Sequence, residues 1–116
     1  MWIMHEVSLM SSVIDMVEDN CKKNNINKVT KIILKIGEFY YIEKSYLIFA
    51  FEALSKNGIC EGAKLEINEV KAKAYCKKCK QEFSISFTNK KCPKCNCLSS
   101  EIISGYEMLL YRIEGE

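Results

Sequence analysis

Four cysteines in two closely spaced pairs restrict this chain more than any other feature. The stretch "YCKKCKQEFSISFTNKKCPKCNC" holds one C-x-x-C at Cys76 and Cys79 and another at Cys92 and Cys95. Two residues between thiolates let both sulfurs of a tight turn reach one ion. The twelve residues between the pairs bring the second turn beside the first. Within them, "EFSISF" alternates like a short strand, with Phe83, Ile85 and Phe87 on one side. The product is a zinc ribbon, a tetrahedral four-sulfur site with bonds of about 2.3 Å. Such a closed set leaves no open coordination position, so its Zn²⁺ is structural rather than catalytic. Two redox pairs are the weaker alternative, because neither pair opens a helix after a strand.

Lys77, Lys78, Lys80, Lys90, Lys91 and Lys94 crowd the segment, with Glu82 the only acid among them. Four thiolates around Zn²⁺ carry a formal charge of about −2, and these lysines offset it. The rival reading is a ribbon module that binds nucleic acid or protein. The interleaved arginines and aromatics of a stacking platform are missing, and Arg112 is the only arginine in the chain. Cys97 follows Cys95 closely enough to compete as a ligand, but reads better as a spare thiol. Cys21 reads as a small core residue, and Cys60 has no evident partner.

Seven cysteines in 116 residues is a high and odd count. With no charged-then-apolar leader at the start, disulfides are disfavoured and a reducing, cytoplasmic setting is expected. No apolar run approaches the roughly 20 residues that span a bilayer. The net charge of +2 gives no global footprint for nucleic acid or an anionic membrane. The length suits one domain with a small insert.

Either side of the cysteines the pattern is α/β. Residues 7–23 place Val7, Met10, Val13, Ile14, Val17 and Cys21 on one helical face, and "NNIN" ends the helix. Residues 28–39 alternate as a strand, with Thr30, Ile32, Leu34 and Ile36 inward and Lys31 and Lys35 outward. Residues 42–58 form a second helix with Leu47, Ala50, Phe51 and Leu54 as its stripe and Gly58 as a left-handed cap. Residues 63–76 read as one long strand whose phase slips near Asn68–Glu69, like a bulge. Residues 101–113 read as a third, weakened at Ser104-Gly105. The expected fold is α+β: a small three-stranded sheet packed with two helices, from 1–74 and 101–116, with an inserted four-cysteine ribbon at 75–100.

One histidine, His5, stands beside Glu6 near the start. Taken alone it reads as a solvated tail imidazole, since two side chains are too few for a coordination shell. An enzyme is a poor fit, because no nucleophile has an identifiable base and no Gly-rich phosphate loop is present.

The set "MHEVSLM", "KIGEF", "FAFEALSKNG", "EGAKLEINEV", "CKKCKQEF", "CPKC" and "EIISGYEM", in this order, resembles one family, the hydrogenase maturation nickel chaperones HypA/HybF. The resemblance covers nearly the whole chain. It implies a fold of three strands and two helices with a zinc ribbon. It implies that Ni²⁺ is bound and passed on during assembly of [NiFe]-hydrogenase, and of urease in some organisms, with a HypB-type GTPase and the hydrogenase large subunit as partners. It implies zinc at Cys76, Cys79, Cys92 and Cys95. Nickel falls to His5, Glu6 and the nitrogen of Met4, the family ligands being a terminal amine, the imidazole and backbone nitrogens. Neither nucleic acid nor membrane is implied as partner, and a monomer or weak dimer is expected. The sequence departs from the family at its start, where Met1, Trp2 and Ile3 precede Met4 and make its nitrogen a peptide one. Weaker and more pH-dependent nickel binding is expected than for a chain beginning at Met4.

Overall fold

The computed structural model describes residues 2–40, 42–98 and 101–116, with side chains from Glu6 onward. Their elements run α1 (Trp2–Lys23), β1 (Val29–Gly37), a 3-10 turn (Glu38–Tyr40), α2 (Lys44–Leu54), β2 (Lys64–Val70), β3 (Lys73–Cys76), β4 (Gln81–Ser84), β5 (Glu101–Ser104) and β6 (Met108–Gly115). The strands form two three-stranded sheets, ordered β2-β1-β6 and β4-β3-β5. Two helices, small sheets and a cysteine ribbon are the α+β architecture expected from the sequence. The chain divides into two compact units, Met1–Leu34 with Ile42–Ile67 and Leu110–Glu116, and Lys35–Tyr41 with Asn68–Leu109.

In the first unit, Met10, Val13, Ile14, Val17 and Cys21 are all buried on one face of α1, as their three- and four-residue spacing requires. Lys22 and Lys23 close the helix with charges that suit its negative end. Asn25 then turns left-handed at φ 57°, and the Ile26 N–H donates to the Cys21 carbonyl at 2.9 Å. That six-to-one bond satisfies an orphan carbonyl of the last turn. Helix α2 packs on α1 and buries Leu47, Ala50 and Phe51.

Leu54, expected on the same stripe, is 41% exposed. It is the last residue of α2, and burial passes instead to Ser55, four residues on from Phe51, whose carbonyl accepts the Ser55 N–H at 2.9 Å. The left-handed residue of the following turn is Asn57, at φ 64°, and not Gly58. Asn57 holds the turn through its N–H, which donates to Glu61 Oε2 at 3.0 Å.

Ile32 and Leu34 of β1 are fully buried, with Val29 and Ile33 also inside. Thr30, expected inward, is exposed; its hydroxyl donates to the Glu114 carbonyl at 3.1 Å instead. Lys28 and Glu116 exchange backbone hydrogen bonds, and Gly37 N–H donates to the Glu107 carbonyl. β6 therefore runs opposite to β1.

The second unit breaks two of the expected strands. Residues 63–76 are two strands in different sheets, separated at Lys71–Ala72. The Ala72 N–H leaves the ladder and donates to Glu38 Oε1 at 2.7 Å, while the Lys71 carbonyl accepts from Ser104 Oγ at 2.7 Å. What the alternation showed as a bulge is a change of sheet. The weak point at Ser104-Gly105 is also a break, into β5 and β6. Gly105 sits at φ 122°, where a Cβ would lie 2.8 Å from Ala72 Cβ and 2.9 Å from Phe39 Cδ2. Only glycine meets both demands.

Candidate metal centre

Cys76 ends β3, whose partners β4 and β5 both run antiparallel to it. The pairing sets Cys76 opposite Gln81, so the chain between them must turn tightly. Lys80 makes that turn with φ 54°, and the Cys79 N–H points at Cys76 Sγ, 3.4 Å away. The second pair is built the same way. Asn96, one residue past Cys95, is left-handed at φ 58°, and its N–H donates to the Cys92 carbonyl at 2.8 Å. Cys92 N–H donates to the Cys97 carbonyl at 2.9 Å, and Lys91 bridges Leu98.

These turns gather four sulfurs within 4.8 Å of one another, at Cys76, Cys79, Cys92 and Cys95. Cys76 Sγ lies 3.6 Å from Cys95 Sγ, and Cys92 Sγ 3.9 Å from Cys79 Sγ. A tetrahedron with bonds of about 2.3 Å has edges of about 3.8 Å, so the spacing fits one four-sulfur cation. The electrostatics fit as well. The backbone N–H groups of Cys95 and then Lys94 draw the Cys92 thiol down to about 7. Burial, followed by hydrogen bonds with Cys95, Cys92 and Cys76, pushes the Cys79 thiol up to about 12. Sulfurs this close cannot all ionise beside one another unaided. Cys76, Cys79, Cys92 and Cys95 would hold a divalent cation here as thiolates, and its charge would resolve that conflict.

Phe39, Ala72, Ala74, Phe83 and Ile85 pack with Cys76 and Cys92 in one buried cluster that Cys79 and Cys95 touch. The Phe39 ring stacks on Phe87 at 4.7 Å and tilts against Tyr106 at 4.9 Å. Phe87, expected inward with Phe83 and Ile85, is 51% exposed. Its inward place is lost because β4 ends at Ser84, so alternation no longer governs it. Lys90 lies 5.9 Å above both Phe39 and Phe87, and Lys77 pairs with Glu101 at 3.3 Å. Lys90 and Lys77 are thus engaged within the second unit. Glu38 and Phe39 lie in "KIGEF", a segment of the family resemblance and the end of the alternating stretch 28–39, but that local pattern carries no signal of a distant partner for either.

The remaining cysteines stay apart from the four. Cys97 is exposed and contributes only its carbonyl. Cys21 and Cys60 are both buried in the first unit. Burial, then Cys21 and Glu18 nearby, pushes the Cys60 thiol up to about 11.

Met4, His5 and Glu6 lie consecutively in the opening of α1. The side chains of Met4 and His5 are outside the described residues. Glu6 is 5% exposed, and its Oε2 has no hydrogen-bond partner. A carboxylate oxygen cut off from both water and donors is costly.

Residues 4–115 match the family described as hydrogenase/urease nickel incorporation, metallochaperone, HypA. The chain belongs to the HypA family. The hydrogenase maturation factor HypA of Psychromonas ingrahamii is 36% identical over 113 residues, 97% of this chain and 99% of the relative. That of Aquifex aeolicus is 34% identical over 113 residues, 97% and 98% of the two chains. The solution structure of the Ni metallochaperone HypA from Helicobacter pylori is similar with a TM-score of 0.67 and 32% identity, over 95% of this chain and 96% of that one. HypA proteins are metallochaperones, which carry an ion rather than transform a substrate.

Proposed function

We propose that this chain carries Ni²⁺ for [NiFe]-hydrogenase maturation, taking the ion at the start of α1 through His5, Glu6 and the nitrogen of Met4. The observation that carries the reading is the buried, unpartnered Oε2 of Glu6. A cation beside it would supply the missing partner, and the chain's one imidazole is the adjacent residue. Ni²⁺ suits such nitrogen and oxygen ligands. Residues at the end of an element can also release an ion, which a closed thiolate cage does not readily do.

Cys76, Cys79, Cys92 and Cys95 would hold a structural Zn²⁺. A four-sulfur tetrahedron also suits iron, and metal analysis of the purified protein separates the two; one equivalent of zinc in a colourless protein is expected. Membership of the family supports a HypB-type GTPase and the hydrogenase large subunit as partners in the cytoplasm, with urease as a second target.

Titration calorimetry with nickel chloride on the full chain tests the site. One nickel equivalent is expected for the parent, with loss of specific binding in His5→Ala and weaker binding in Glu6→Gln, while zinc content stays constant. Nickel binding by His5→Ala equal to the parent's would place the cargo elsewhere.

A further inference from the structure

Trp2 and Ile3, ahead of Met4, are helical, and they lie outside the family match. Helix α1 begins at Trp2, whereas the match begins at residue 4. In an α-helix the first four N–H groups lack partners, and every later one donates to the carbonyl four residues back. With α1 starting at Trp2, that open set is exhausted at Met4. The Glu6 N–H therefore belongs to the ladder, with the Trp2 carbonyl as its acceptor. Were the helix to start at Met4, the nitrogens of His5 and Glu6 would both be in the open set.

This matters for any ion held at His5 and Glu6. Consecutive positions of an intact helix do not share a face, so the wound turn sets positions 5 and 6 on different faces. Two side-chain ligands are also too few for a full shell, and the nearest further nitrogens are those of the backbone itself. A peptide nitrogen that binds Ni²⁺ breaks its N–H bond, releases the proton to solvent and forms the N–Ni bond. It can do so only after leaving the helical ladder. Glu6 Oε2, buried and without a partner, does not cap these N–H groups in the wound state.

We propose that Trp2 and Ile3 act as a helical latch, so that nickel loads at His5 and Glu6 only as the first turn of α1 unwinds. The latch rests on the nickel site proposed above and adds its regulation. It makes the wound helix the low-affinity state and the opened turn the loaded one.

Trp2 is the only tryptophan in the chain, so its fluorescence reports nickel arriving within a few residues of it. Hydrogen exchange on the unmodified full chain gives the first readout. Adding nickel chloride is expected to quench Trp2 and to speed exchange of the Glu6 amide and its neighbours. Slower exchange there on loading would overturn the latch. The double variant Trp2→Gly, Ile3→Gly in the full chain gives the second. Two glycines weaken the turn, and nickel affinity is expected to rise about tenfold. Equal affinity in variant and parent, with binding still lost in His5→Ala, overturns the latch and leaves the site standing. Binding that survives His5→Ala overturns both.

Discussion

Lys80 and Asn96 occupy equivalent left-handed positions, one residue past the second cysteine of each pair. Asparagine tolerates that region through its short polar side chain, but lysine is strained there by about 1–2 kcal/mol. Lys80→Gly removes the strain and loses part of the gain to a freer unfolded chain. A net stabilisation of about 0.5–1 kcal/mol is expected. Thermal melts of the metal-loaded variant and parent check it; a lower midpoint for the variant would refute the strain account. The cysteines outside the ribbon differ from one another just as sharply. Exposed Cys97 is expected to react with iodoacetamide near neutral pH, whereas Cys21 and Cys60, each 1% exposed, stay unmodified until the chain unfolds. Peptide mass spectrometry reads the three sites. Because the folded state raises Cys60 from 9.0 to about 11, it holds that proton more tightly than the unfolded chain does. Cys60 therefore makes stability fall as pH climbs from about 9 to 11, and Cys60→Ala should flatten that decline.

Helix α2 buries Phe51 to 1% and leaves its terminal Leu54 41% exposed. Phe51→Ala is expected to cost about 3–5 kcal/mol through the cavity it leaves, and Leu54→Ala less than about 1 kcal/mol. Denaturant melts of the two variants separate them, and similar losses would mean the helix is phased differently. What could be foreseen about the elements follows from how local each signal is. The helices were legible because Met10, Val13 and Val17, or Leu47, Ala50 and Phe51, report a nearby face by their spacing alone. The metal ribbon was legible because each C-x-x-C is a complete local device. The two long strands were misjudged in continuity, because alternation through 63–76 looks alike whether the chain bulges or changes sheet. What decides between them is Glu38, 34 residues from Ala72, accepting its N–H. Phe39 was missed for the same reason, since its stacking partners Phe87 and Tyr106 are remote in sequence.

At the scale of the whole molecule, the ribbon's buried cluster is small and two of its seven members are cysteines of the metal site. So little apolar surface does not hold a unit together without a staple. Cys79→Ala or Cys92→Ala is expected to release the metal and to speed hydrogen exchange through β3, β4 and both cysteine turns. α1 and α2, which pack on each other and bury Met10, Val13, Leu47 and Phe51, should keep their protection. Retention of one tightly held metal ion by both variants would refute the four-sulfur assignment. The strand order β2-β1-β6 has a further consequence, for the chain as it is being made. β1 is the middle strand, yet one of its two neighbours, β6, is made only after the whole ribbon. During synthesis β1 keeps one bare edge, open to pairing with other chains, until β6 has emerged. All four metal-binding cysteines are polymerised before that strand. A nascent chain thus has all four clustered cysteines in place while its main sheet is still one strand short, and the sheet is sealed only when β6 follows.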